Sequence, residues 1–241
     1  MTRLARIAAL AVRVIEQLGD PAQLGRYAAA NAVLLAERDP RPRVVFMGDS
    51  IFEGWPGLEA LAPPGVRFID RGVAGQTTGQ ILLRFQDDAL ALRPAAVVIL
   101  AGLNDLRAVF ASPAAVGAAA LPRVVSNITA MADMAEGRGV KVVLCALPPI
   151  HAAAAGRDPG AVRSVNAWLA TFAAERRHLF VDTCAPLLDA NGYPDARLTR
   201  DGVHPNGAGY QAMTVVLRDG LGALGIWPLG KSRWTVLRND P

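Results

Sequence analysis

The chain has 241 residues, 52% hydrophobic and 19% charged, with a formal charge of +4. That length suits one α/β domain with a full core, and that composition excludes a disordered chain. The positive charge is nearly all arginine, Lys141 and Lys231 being the only lysines, and it is scattered along the chain, so the clustered basic surface of a nucleic-acid binder is not expected.

In chain order, residues 1–18 come first. Leu4, Ile7, Ala11, Val14, Ile15 and Leu18 share one helical face, and Arg3, Arg6, Arg13, Glu16 and Gln17 share the other. Arg6 and Arg13 break the apolar core that a secretory signal needs. The segment reads as an amphipathic helix docked on the domain; a membrane-surface helix and a degraded export signal are the alternatives. A cytoplasmic location is slightly favoured and export stays open. The expected boundaries are a helical extension over 1–40, the main domain over 41–228 and a tail over 229–241. No run of about 18 apolar residues occurs, so no stable membrane insertion is expected.

Five short apolar runs follow: Val44 to Met47, Val66 to Ile69, Ala96 to Leu100, Val140 to Leu144 and Leu179 to Val181. Each is rich in β-branched or aromatic residues and bounded by Gly, Pro, Asp or Asn, which predicts strands. Most lack alternation, as strands covered on both faces do. Between them lie helical patterns. Thr77 and Gln80 form a capping-box pair ahead of Ile81, Leu82, Phe85, Ala89 and Leu92. Further helices are predicted from Pro113 to Glu136, from about Ala161 to Arg176, and from about Asn206 to Gly220–Gly225. Alternating strands and helices predict an α/β fold: a three-layer α/β/α arrangement with a five-stranded parallel, flavodoxin-like sheet. Cys145 and Cys184 end apolar runs, lack zinc-ligand spacing and read as buried thiols.

Parallel sheets place their functional sites beyond the carboxyl ends of the strands. Four loops there carry small or polar groups: Gly48-Asp49-Ser50, Gly72 to Thr77, Gly102-Leu103-Asn104-Asp105 and Asp201-Gly202-Val203-His204. Taken singly, each reads as a turn or a helix cap. Together, in this order, they resemble the blocks of the SGNH hydrolases, the GDSL-type esterase and lipase family, over residues 43 to about 212. The resemblance implies Ser50 as nucleophile and Asp201 with His204 completing a triad. It also implies an oxyanion hole from the N–H groups of Ser50 and Gly75 and the Asn104 amide. The implied activity is hydrolysis of a small carboxylic ester through an acyl-enzyme: an acyl ester, a lysolipid, a thioester or an acetylated sugar. Transfer of the acyl group to an alcohol or sugar, and a non-catalytic binding module, are the alternatives. The resemblance calls for neither a metal nor an organic cofactor, and it leaves the oligomeric state open.

The residues support this reading on chemical grounds. A serine hydroxyl needs a base within hydrogen-bond reach, and histidine titrates near neutral pH. Of the three histidines, His178 precedes a strand and belongs at the opposite sheet edge. His151 lies near the correct edge without a neighbouring carboxylate. His204 has Asp201 three residues earlier, a spacing that lets the carboxylate orient the ring. A helix cap is the other reading of Asp201, and a turn residue that of Asn104. Asp49 and Asp105 are expected to be structural. Phe52 stands where a G-x-S-x-G elbow needs its second glycine, so that elbow is absent. In GDSL-type sequences Ile-Thr is commoner than Ile51-Phe52, Asn-Arg-Gly than Asp70-Arg71-Gly72, and threonine than Leu103. Phe52 and Leu103 are expected to make the mouth of the site more apolar.

Overall fold

A computed structural model describes residues 19–108, 112–151 and 156–226. The amphipathic segment over 1–18 and the tail over 229–241 lie outside these residues. The elements in chain order are α1 (Ala28–Ala36), β1 (Arg43–Gly48), α2 (Ser50–Glu53), β2 (Arg67–Gly72), α3 (Thr78–Asp88) and β3 (Ala96–Leu100). They continue with α4 (Pro113–Glu136), β4 (Lys141–Cys145), α5 (Pro159–Arg176), β5 (Leu179–Val181) and α6 (Gly207–Ala223).

The five strands form one parallel sheet in the order β2-β1-β3-β4-β5, the flavodoxin-like order. From β1 the chain first steps to the β2 side and afterwards only the other way. Right-handed crossovers then put α3, α4 and α5 on one face and α2 with α6 on the other. This is the three-layer fold. Val44, Val45, Phe46 and Met47 of β1 are wholly buried, as are Ala96, Val97, Val98 and Leu100 of β3. Continuous burial explains why these runs carry no alternation.

Register brings the strand ends level. Gly48 pairs with Gly72 on β2 and with Leu100 on β3. The loops that begin at residues 49, 73 and 101 therefore leave one edge together. A side chain at Gly72 would place its Cβ 2.2 Å from the Glu53 nitrogen, so glycine there is what lets α2 lie against β2.

Local chemistry starts each helix. The Thr77–Gln80 capping box opens α3, Ser112 caps α4 ahead of Pro113, Asp158 caps α5 ahead of Pro159, and Asn206 caps α6. By length and composition alone α4 could cross a membrane. Here Ala120, Val124, Ile128, Met131 and Ala135 are buried, and the helix packs as one layer of the domain. Cys145 is buried and Cys184 partly so; neither is in a disulfide, and burial pushes both thiols up to about 12.

The largest fully buried side chain is Arg84 of α3. Its Nη2 donates to the Gly48 carbonyl at 3.0 Å, its Nη1 to Asp88 Oδ2 at 3.2 Å and its Nε to Gln76 Oε1. Asp88 Oδ1 accepts from Asn31 Nδ2 at 2.7 Å, and Asn31 Oδ1 accepts from Arg71 Nε and Nη2. The network ties α1 to the sheet beneath the loop that carries Ser50. Breaking one partner of a buried ion pair leaves an unmatched charge and costs about 3–5 kcal/mol. Arg84→Met is expected to lose that much stability in urea unfolding, and Arg84→Met with Asp88→Asn to recover part of it. A near-normal midpoint for Arg84→Met would contradict this account.

Candidate active site

Ser50 opens α2 directly after β1. Asp49 accepts from the Ile51 N–H at 3.0 Å and caps this turn. The turn is clamped from below by rings: Phe46 to Phe52 at 5.4 Å, Phe52 to Trp55 at 5.9 Å and Trp55 to Tyr210 at 5.3 Å. Tyr210 belongs to α6 and donates its hydroxyl to the Ile51 carbonyl at 3.0 Å; Trp55 Nε1 donates to Thr214 Oγ1 at 3.2 Å. These contacts fix the Ser50 turn to the helix that follows His204.

His204 and Asp201 share one turn. Asp201 Oδ1 accepts the backbone N–H groups of Val203 at 3.0 Å and His204 at 2.8 Å. Asp201 Oδ2 lies 2.7 Å from His204 Nδ1, and His204 Nε2 lies 3.0 Å from Ser50 Oγ. Partial burial pulls the Asp201 carboxyl up, but the hydrogen bonds from His204 and Val203 outweigh it and hold it at about 2. An ionised Asp201 only accepts, so in a neutral ring Nδ1 carries the proton and Nε2 is left to accept from the serine hydroxyl.

Gly75 takes φ +81°, a left-handed conformation that glycine adopts without strain. The N–H groups of Ser50 and Gly75 have no backbone acceptor among the described residues. Asn104 Nδ2 donates to the Gln76 carbonyl at 3.0 Å and to Asp49 Oδ2 at 3.2 Å. Arg157 Nη2 donates to Asn104 Oδ1 at 3.0 Å, and Arg157 Nε to the Leu103 carbonyl at 2.7 Å. A guanidinium donates only, so this contact sets which way the amide faces. Asp105 receives the Thr78 N–H and hydroxyl at 2.8 and 2.7 Å, joining the loop after β3 to the start of α3.

Ser50, Gly75, Asn104, Asp201 and His204 thus line one open cleft of about 400 Å³, together with Ala74, Val203, Arg107 and Arg157. His151 lies elsewhere: its N–H donates to the Gly202 carbonyl, and its ring borders a separate small cavity with Pro149, Leu187, Asp195 and Thr199. His178 sits before β5, with Nε2 3.0 Å from Glu136 Oε1 at the end of α4. Phe52 and Leu103 do not form the mouth. They are 0% and 2% exposed, because the Ser50 turn directs Phe52 into the ring cluster and the loop after β3 folds Leu103 into the core. Sequence reasoning missed Arg157 and Arg107. Neither sits in a motif, and the Arg157–Asn104 contact spans 53 residues. Among the described residues no group of three or more His, Cys, Asp or Glu is placed to hold a metal ion.

The sequence model of the GDSL-like lipase/acylhydrolase family matches residues 46–212, which include all four loops of the cleft. The chain belongs to this family. A solved GDSL-like lipase from Bacteroides thetaiotaomicron is 32% identical, with a TM-score of 0.71 over 84% of this chain and 98% of that one. A protein described as an acylhydrolase from Bacteroides fragilis is also 32% identical, with a TM-score of 0.70 over 84% and 97%. An acetyl-xylooligosaccharide esterase from Geobacillus shares the fold at 21% identity, with a TM-score of 0.64 over 80% and 97%. No curated protein sequence matches.

Asp49 is wholly buried beneath this GDSL-like cleft. Burial pushes its carboxyl up to about 6, against the pull of the Ile51 N–H and the charges of His204 and Arg157. The folded chain therefore holds this proton more tightly than the unfolded chain, whose carboxyl titrates near 3.9. The stability this gives is complete below about pH 4 and is lost as pH rises through about 6. Measured against Asp49→Asn, wild type is expected to lose about 2–3 kcal/mol between pH 4 and pH 8. A gap between the two proteins that does not change with pH would count against it.

Proposed function

We propose that the chain is a serine ester hydrolase that works through an acyl-enzyme, with Ser50 as nucleophile, His204 as base and Asp201 as the carboxylate that orients it. The observation supporting this reading is the unbroken hydrogen-bond chain Ser50 Oγ, His204 Nε2, His204 Nδ1, Asp201 Oδ2, at 3.0 and 2.7 Å. Ser50 Oγ attacks the ester carbonyl while its proton passes to Nε2. The imidazolium, stabilised by Asp201, returns that proton to the departing alcohol oxygen. Water, deprotonated by the same nitrogen, then attacks the acyl-serine, and Ser50 regains its proton.

The charge that develops on the carbonyl oxygen needs donors already aimed at it. The N–H groups of Ser50 and Gly75 line the cleft without backbone acceptors among the described residues, which suits them to the task. Asn104 is the third donor. Its longer bond, to Asp49, supplies the hydrogen that a substrate oxygen would share. Among the described residues, Ala74 and Val203 are the only apolar side chains lining the cleft, which favours a short acyl group. The acetyl esterase among the structural relatives fits this size.

Ser50→Ala is expected to keep its fold while losing nearly all hydrolysis of aryl acetates and all labelling by a serine-directed phosphonate. Undiminished labelling of the folded variant would remove Ser50 from its role. Asn104→Ala is expected to lower kcat by about 10²–10³-fold, or roughly 2.7–4 kcal/mol, with little change in KM. A merely structural asparagine would instead lower the melting temperature and leave kcat near normal, so measuring both separates the two cases.

A further inference from the structure

Two arginines, Arg107 and Arg157, line the cleft around Ser50. Arg107 comes from the loop after β3 and is exposed; among the described residues its guanidinium has no hydrogen-bond or ion-pair partner. Arg157 reaches the same cleft from the loop before α5. It is 7% exposed, and its contacts include two neutral acceptors, the Leu103 carbonyl and Asn104 Oδ1. Among the described residues the one carboxylate in the lining, Asp201, already accepts from His204 and two backbone N–H groups. The remaining lining is small or neutral.

Two guanidinium groups sharing one cleft repel each other. Burial, then the charge of Arg107, draws the Arg157 pKa below its ordinary value. An anion held in the cleft relieves that repulsion. Guanidinium forks match the oxygens of carboxylates and phosphates and bind them by charge-assisted hydrogen bonds.

We propose that the cleft selects esters that carry an anionic group, a carboxylate or a phosphate, and that Arg107 is the residue that reads it. The inference rests on Ser50 as the nucleophile, since that defines where the ester lies. Arg107 stands at the rim with its donors free, so it can meet a substrate charge. Arg157 has a different part: it is a positioning residue, holding the Asn104 amide and adding a fixed positive field.

Matched esters test this. 4-Acetoxybenzoate and its methyl ester share a ring and an acetyl group and differ by one charge; 4-acetoxyphenyl phosphate supplies the second anion. Each rate is normalised to hydrolysis by hydroxide, which removes differences in leaving-group strength. For wild type, kcat/KM is expected to be about tenfold higher for the anionic ester, as one charge-assisted contact gives. That ratio is expected to fall toward one in Arg107→Gln and in high salt. Binding is read separately by calorimetry on the Ser50→Ala protein. There 4-acetoxybenzoate is expected to bind about tenfold tighter than the methyl ester, and the difference to vanish in Ser50→Ala with Arg107→Gln. Preference for either anion supports the inference. Equal binding of the charged and neutral esters, or a preference that survives Arg107→Gln, overturns it. Full turnover by Ser50→Ala would instead defeat the nucleophile assignment, while binding would still decide the charge preference.

Discussion

A guanidinium without solvent has to find its acceptors inside the protein, and Arg84 finds them at the one place where several loops meet. It holds the last carbonyl of β1, the side chain of Gln76 and the carboxylate of Asp88. Gln76 in turn donates to the Ala22 carbonyl, and its own carbonyl receives the Asn104 amide. One buried charge therefore sets the relative positions of the Ser50 turn, the Gly75 loop and the Asn104 loop. Desolvation makes such a charge costly, but every misplacement of its acceptors adds to that cost. Position at the cleft is enforced from beneath.

The second constraint is the sheet. Parallel register levels the ends of β1, β2 and β3, so residues far apart in sequence arrive at one edge. The opposite face supplies the remaining adjustment. Rings from Phe52, Trp55 and Tyr210 bind α2 to α6, which sets how far Ser50 stands from the turn before α6. The buried Asp49 carboxylate and the anchored Arg157 then hold the Asn104 amide from opposite ends. Few of these supporting groups touch the cleft, yet each limits where a group in the cleft can go.

Strand runs, capping residues and the four polar loops were legible because each is written in contiguous residues. Thr77 with Gln80 shows a cap in four letters, and β3 is visible as Ala96 to Leu100 without reference to anything else. Ser50, Gly75 and Asn104 were legible for the same reason, each lying just beyond the end of a strand, and Asp201 with His204 because the pair is written in adjacent residues. Arg84, Asn31 and Arg157 were not. The contacts of Asn31 with Arg71 and Asp88 and of Arg157 with Asn104 span 40 to 57 residues, and an arginine in an α-helix looks like a solvent-facing one until the sheet is built around it. Phe52 and Leu103 were misjudged because the direction of a side chain after a strand depends on the turn, which the residue names do not state.

Asp201 and His204 sit on a single turn, with the carboxylate bonded to both the ring and the backbone of its neighbours. The pair is therefore a prefabricated part, and the long-range joint in the proposed triad is the one between His204 and Ser50, 154 residues apart. That joint is kept by the docking of α6. Proteins open segment by segment, and a single helix docked on a sheet can detach at a lower free energy than the whole core. Loss of α6 would carry the whole pair away from the serine while the sheet stayed folded. Under the proposed roles of these residues, inactivation on warming would precede global melting, and the catalytic signal would act as a gauge of how firmly α6 holds.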